Sequence, residues 1–252
     1  MLHVKVIQSR EKQMISVLER PVHEKDRRIL VFFCHGFAGH KITPHRMAPN
    51  FSRRLSDIGV SMVRTDTIGS GDSEGDYHYM TIQGQLKDYQ EAYQYWTCLE
   101  PWKKVFFLGY SMGGATATIL SQLVYTDGML LWSPVSNPYW NFHHFLGEED
   151  FTAGMEGLDI SQDGDSVSKD FFIGLEDYNL IPIMKDYQKP IRLIHGTGDT
   201  DVLPINAKTY QWFSKDCRVH WILGADHGFS KKEFQEELLE KSIEYIQVLA
   251  SD

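Results

Sequence analysis

The chain has 252 residues, 42% of them hydrophobic and 23% charged, and carries a formal net charge of -9. That length suits one well-buried domain and the hydrophobic share excludes disorder; scattered Lys and Arg under a negative net charge exclude a phosphate-backbone binder, so nucleic acid is not an expected partner. Cys34, Cys98 and Cys217 lie far apart without Cys-x-x-Cys spacing, which excludes a disulfide framework and a cysteine zinc site.

The first ten residues alternate polar and apolar side chains and lack the unbroken apolar stretch of a signal peptide. No segment approaches the roughly 20 apolar residues of a membrane helix; no membrane is expected as a partner, and the cytoplasm is the default location. Segments 2–7 and 13–18 flank a polar stretch and read as an antiparallel hairpin. The continuous apolar run 28–34, ending at His35-Gly36, suits a strand buried on both faces of a parallel sheet. Similar segments recur at 59–64, 104–108, 129–132, 191–194 and 219–223. Helical patterns cover 44–58, 81–98, 112–125, 206–213 and 231–249. This alternation predicts an α/β fold with a mostly parallel, doubly wound sheet. Residues 133–189 break it, mixing aromatic, acidic and glycine residues without a steady period or a clear strand. Loops that long are rare in compact domains unless they form lids or binding segments. The expected organisation is a core of 1–132 and 190–252 with an inserted cap at 133–189.

The chemistry concentrates at Gly109-Tyr110-Ser111-Met112-Gly113, which follows a buried strand and precedes a helix. A Gly-x-Ser-x-Gly in that setting is a nucleophile elbow: the turn is too sharp for neighbouring β-carbons, and the serine hydroxyl stands exposed at a helix N-terminus. Ser111 is therefore the expected nucleophile. The base follows the last strand in such architectures, at the carboxyl edge of the sheet, which selects His227 in Gly224-Ala225-Asp226-His227-Gly228-Phe229. His220 falls inside a strand, His195 precedes a glycine turn, and Asp226 is too close in sequence to point back at the imidazole. The acid should follow the strand before, where Asp199 and Asp201 both stand. An oxyanion hole needs the N–H of the residue after the nucleophile, Met112, and one from the loop after an early strand, Phe37. His35 is expected to brace that loop. The stretch 66–75 (Asp-Thr-Ile-Gly-Ser-Gly-Asp-Ser-Glu-Gly) lacks the Gly-Lys-Ser/Thr ending of a phosphate loop and reads as a turn-rich loop at the pocket mouth.

Taken in order, His35-Gly36-Phe37, Gly109 to Gly114, Gly198-Asp199-Thr200-Asp201-Val202 and Gly224 to His227 resemble the α/β-hydrolase fold along nearly the whole chain. The x-x-Val after Asp199 is similar to the pattern following the triad acid in that family, which favours Asp199 over Asp201. Gly69 to Gly75, Met80-Thr81-Ile82 and Ala225 to Phe229 resemble bacterial cinnamoyl and feruloyl esterases. The resemblance implies a serine carboxylesterase acting on small esters, with hydroxycinnamoyl esters as the expected substrates and the cap as the place where a phenolic ring is held. Trp132, Tyr139 and Trp140 are the expected substrate-binding aromatics, with Phe142, Phe145, Phe171, Phe172 and Tyr178 also available to stack on a ring or to form the cap's own core.

No metal and no cofactor are expected. The expected partner is a small-molecule ester, and a homodimer is compatible with the sequence. A general acyl esterase or lipase, a thioesterase and an acyltransferase would share the same triad. Glu148, Glu149 and Asp150 in the cap weigh against an oil interface. A ligand-binding receptor of the same fold is the non-enzymatic alternative.

Overall fold

The computed structural model describes residues 1–21, 27–162 and 164–251. Residues 22–26, 163 and 252, which fall within the expected core and cap segments, lie outside the described residues. The chain opens with the hairpin β1 (Leu2–Ser9) and β2 (Lys12–Glu19), then β3 (Ile29–Cys34), α1 (Met47–Asp57), β4 (Ser61–Thr65), α2 (Ile82–Cys98), β5 (Lys104–Tyr110), α3 (Met112–Leu120) and β6 (Gly128–Trp132). There follow α4 (Pro138–Glu156), a short hairpin β7 (Ile160–Gln162) and β8 (Asp165–Val167), α5 (Lys169–Leu175) and α6 (Leu180–Asp186). The last elements are β9 (Ile191–Gly196), α7 (Ile205–Phe213), β10 (Cys217–Ile222) and α8 (Lys232–Ser251).

Eight strands form one sheet in the order β1-β2-β4-β3-β5-β6-β9-β10, and β2 alone runs against the rest. Side chains alternate between its faces. Leu30, Phe32, Val105, Phe107, Met129 and Leu131 join Tyr89 and Trp96 of α2 and Ala115 and Leu120 of α3 in one core. Val31, Phe33, Phe106, Leu108, Leu130 and Trp132 join Phe51 and Leu55 of α1 and Leu238 and Ile246 of α8 in the other. The unbroken apolar runs are thus strands covered on both faces, and each buried aliphatic or aromatic side chain contributes roughly 1.5–3 kcal/mol of transfer free energy. Between β6 and β9, Phe142, Phe171, Phe172, Leu180 and Met184 extend the α2/α3 core without a break.

Several element ends depart from the expected ones for local reasons. The 44–58 pattern becomes regular helix only at Met47, because His45 (φ 54°) and Arg46 (φ 58°) sit in left-handed backbone. The 112–125 pattern stops at Leu120: Gln122 and Leu123 donate their N–H groups three residues back rather than four, tightening the turn. The hairpin β7–β8 lies in the stretch expected to hold no clear strand, and its three-residue arms are too short to leave a periodic signal. Helix α4 kinks at Gly147, φ 82°.

Candidate active site

Phe37, Ser111, Asp199 and His227 follow the carboxyl ends of the parallel strands β3, β5, β9 and β10. Ser111 follows β5 and immediately precedes α3, with φ 58° and ψ -125°, a strained backbone that persists because packing dictates it. A β-carbon on Gly113 would lie 2.1 Å from the Cys34 carbonyl oxygen, so only glycine lets the first turn of α3 press against the end of β3. The Ser111 hydroxyl reaches the Nε2 of His227 at 2.9 Å, and the His227 Nδ1 meets Asp199 Oδ2 at 2.8 Å. Nδ1 therefore carries the proton shared with the carboxylate, and Nε2 is left to accept from the hydroxyl.

Asp199 is buried in the turn after β9. Its Oδ1 accepts the N–H groups of Asp201 at 3.1 Å and Val202 at 2.8 Å, while His195 Nε2 stands 3.4 Å from Oδ2 and 2.8 Å from the Val202 carbonyl. Burial by itself would raise this carboxyl, but the hydrogen bonds and charges of His195 and His227 outweigh it and hold the group well below the usual carboxylate range. Of the two acid candidates, Asp199 faces the imidazole, and Asp201 lies at the cavity wall. Asp226 turns away to accept from the N–H and hydroxyl of Ser230. His220 pairs with Glu237 at 2.8 Å.

Phe37 and Met112 lie beside Ser111 in the same cavity, and Met112 is the first residue of α3, where backbone N–H groups have no partner within the helix. The loop carrying Phe37 is braced by His35. Burial lowers the His35 imidazole and keeps it neutral, so Nδ1 donates to the Gly36 carbonyl at 3.0 Å and Nε2 accepts from the Thr67 hydroxyl at 3.2 Å.

The cavity has a volume of about 370 Å³, within the range of small-molecule sites. Its apolar wall comes from Phe37, Val135, Phe142 and Phe145, and its polar groups include His40, Thr43, Asn141, Asp165 and Asp201. Phe37 and Phe142 meet edge to face with centroids 4.8 Å apart. The three aromatics expected to bind substrate are placed elsewhere. Trp132 is fully buried on the α1/α8 face of the sheet, against Phe51 and with its indole N–H donating to Ser242, because strand alternation turns it away from the carboxyl-edge cleft. Tyr139 packs on Phe151 and Trp140, and Trp140 is 64% exposed; neither lines the cavity. Phe171 and Phe172 are buried and meet edge to face. Nor does the 66–75 loop line the mouth; it lies behind the Phe37 loop.

Sequence reasoning missed Asn141, His40 and Asp165 as lining residues. The spacing of Asn141, Phe142 and Phe145, one helical turn on a single face of α4, is a signal that could have found that wall. Asp165 sits on β8, which carried no signal. Among the described residues, no group of three or more His, Cys, Asp and Glu side chains is placed to hold a metal ion, and no helix is long and apolar enough to cross a membrane.

Solved structures share this architecture. Est1E from Butyrivibrio proteoclasticus, with ferulic acid bound, is 20% identical with a TM-score of 0.85 over 96% of this chain and 99% of its own. The esterase domain of a Rhodothermus marinus protein is 18% identical, TM-score 0.73, over 96% of each chain. Alpha/beta hydrolase domain-containing protein 10 from mouse is 16% identical, TM-score 0.77, over 98% of this chain and 99% of its own. No curated protein sequence matches. The model of the family described as serine aminopeptidase, S33 matches residues 25–153. The chain belongs to that family and is an α/β hydrolase.

Proposed function

We propose that the chain is a serine esterase in which Ser111 is the nucleophile, His227 the base and Asp199 the acid that orients the base. The observation that carries this reading is the unbroken hydrogen-bonded line from the Ser111 hydroxyl through His227 to Asp199, at 2.9 and 2.8 Å. Ser111 Oγ attacks the ester carbonyl carbon while His227 Nε2 takes the hydroxyl proton, and the carbonyl oxygen becomes an anion held by the N–H groups of Phe37 and Met112. Collapse expels the alkoxide, which leaves with the proton from His227. Water then hydrolyses the acyl-enzyme by the same route. Asp199 stabilises the imidazolium formed in both halves without itself taking the proton.

The substrate class in this reading is a small ester with a planar aromatic acyl group, such as a hydroxycinnamate. It is supported by the aromatic wall of Phe37, Phe142 and Phe145 beside polar groups at Asn141 and Asp165, by the cavity's size, and by the likeness to Est1E, which holds ferulic acid. In this reading the inserted segment 133–189, which carries α4, α5 and α6, serves as the cap over the acyl group.

The test is labelling with a fluorophosphonate followed by kcat/KM on a panel of methyl ferulate, methyl cinnamate, straight-chain acyl esters and alanine 4-nitroanilide. Ser111-dependent labelling with ferulate ahead of the rest is the expected result. An unlabelled protein would remove the esterase reading, and a preference for the anilide would replace it with an aminopeptidase.

A further inference from the structure

The loop that carries Phe37 is tied to the chain behind it at three points. His35 meets Thr67, as described, and the N–H of Ala38 donates to the Tyr77 hydroxyl at 2.5 Å. The third tie is an ion cluster. Lys41 places its ammonium 2.5 Å from Asp66 Oδ2 and 2.5 Å from Asp72 Oδ2, and its backbone N–H donates to Asp66 Oδ1 at 2.6 Å. The Asp66 side chain is fully buried, the Lys41 side chain 10% exposed and Asp72 largely in solvent. The N–H of Asp72 also donates to Asp66 Oδ2, at 2.9 Å. Gly71 (φ 53°) is required here: a β-carbon would stand 2.2 Å from that same oxygen. Arg64, also buried, donates to the Lys41 carbonyl at 3.3 Å.

A buried lysine–aspartate pair is a poor way to gain stability, since desolvation offsets most of the attraction. Burial does oppose the Lys41 charge, but Asp66 and Asp72 outweigh it and hold the ammonium above its usual range. What such a pair does well is fix one geometry. Between its first tie and its last the loop passes through Ala38 (φ 45°), and two residues beyond the last tie stands Thr43 (φ 65°), both non-glycine residues in left-handed backbone, so the loop stays in place only while its surroundings dictate it.

We infer that Lys41, clamped between Asp66 and Asp72, is a positioning residue that aims the Phe37 N–H at the developing oxyanion. The turn-rich 66–75 stretch is then the socket of that clamp. The inference rests on the proposed ester chemistry at Ser111 and concerns only the donor supplied by the early loop. An oxyanion donor acts on the tetrahedral state and hardly at all on the planar ground state. Its misplacement therefore has a signature distinct from loss of fold.

The experiment compares the wild-type protein with Lys41→Met, Lys41→Arg and Asp66→Asn, using methyl ferulate or 4-nitrophenyl acetate as substrate and phenylboronic acid as an oxyanion-filling inhibitor. For Lys41→Met, kcat should fall about 10- to 100-fold, less than the ~10²–10³ for outright loss of a donor. KM should stay within about twofold and boronate affinity fall by a similar factor to kcat. Lys41→Arg should recover most of the loss. Should Lys41→Met not fold, Asp66→Asn, which keeps shape and acceptor oxygen, is read on the same three quantities. A folded Lys41→Met or Asp66→Asn with unchanged kcat and boronate affinity overturns the inference. So does a change in KM alone. A wild-type protein that neither hydrolyses esters nor labels at Ser111 overturns the esterase reading and this inference with it; a wild-type protein that does both, beside an equally active Lys41→Met, overturns this inference alone.

Discussion

The ring of Tyr110 lies over the imidazole of His227, with centroids 5.3 Å apart and planes 20° from parallel, and its hydroxyl donates to the His227 carbonyl at 3.1 Å. Tyr110, beside Ser111 in sequence, thus holds His227 in space, by a face and by a hydrogen bond. Tyr110→Phe keeps the face and is expected to retain activity within about fivefold, since one neutral hydrogen bond contributes about 1 kcal/mol. Tyr110→Ala removes both. It should lose about 3–5 kcal/mol of stability as a large buried side chain is deleted, with kcat falling by at least tenfold. Urea unfolding and steady-state kinetics on the two variants check this, and equal kcat values would deny the stacking any part in placing the base.

Asp199 and Asp201 can be separated by kinetics. Asp199→Asn should lower kcat by about 10³–10⁴, as a wrongly oriented imidazole does in triads of this kind. Asp201→Asn, with its carboxylate at the cavity wall and not at the ring, should cost less than about tenfold. A comparable collapse in both variants would mean that Asp201 orients His227 in solution.

The depressed Asp199 carboxyl has a pH consequence. Its contribution to folding is fully present above the unfolded value of about 3.9 and is lost as the pH falls through the lower folded value. Over the mildly acidic range it stays ionised, so it adds no second proton to any acid limb of activity. The acid limb of kcat/KM should therefore have a slope of one proton down to about pH 4.5. A slope of two, measured on a small ester, would show Asp199 titrating with the base.

Substrate preference can be tested on the cavity wall. Phe142→Ala should lower kcat/KM for methyl ferulate by about 10-fold or more, since the ring loses a packed aromatic partner. Short acyl esters should be little affected. If Asp165 accepts from the phenol, Asp165→Ala should narrow the gap between ferulate and cinnamate, because only a polar partner left unmatched discriminates against the missing hydroxyl. An unchanged ratio would place the phenol elsewhere.

The cysteines offer a check independent of any substrate. Cys34 is buried and its thiol is pushed up by burial; Cys217 is pushed up to about 12 by the same cause, whereas Cys98 is exposed. Because the thiolate is the reactive form, iodoacetamide should modify Cys98 alone in the native protein and the other two only on unfolding. Early mapping of label to Cys217 by mass spectrometry would show that β10 opens readily at that edge of the sheet.

The parallel core was legible because each central strand is covered on both faces and so reads as an unbroken apolar run; β3 is buried at every position. The line of Ser111, His227 and Asp199 was legible because the sharp turn, the strand ends and their order leave marks in the chain. The cavity wall was not. Whether Trp132 faces the cleft or α8 depends on strand parity and on which helices cover each face, and neither is written in its neighbours. Asp165 required a hairpin too short to show a period. Lys41 and Asp66 are 25 residues apart and meet only because β3 and β4 pair side by side, so nothing local joins them.

The contact between Gly113 and the Cys34 carbonyl also bears on how this gene can change. Every missense change at that codon adds a β-carbon where 2.1 Å separates it from a main-chain oxygen, and backbone at the junction of two strands and a helix cannot step aside as a flexible side chain could. A saturation library selected only for soluble protein, with no assay of catalysis, should return glycine alone at 113 while tolerating many residues at Tyr139 or Trp140. Purifying selection there would follow from folding itself, and would persist in a lineage that had lost the use of the serine.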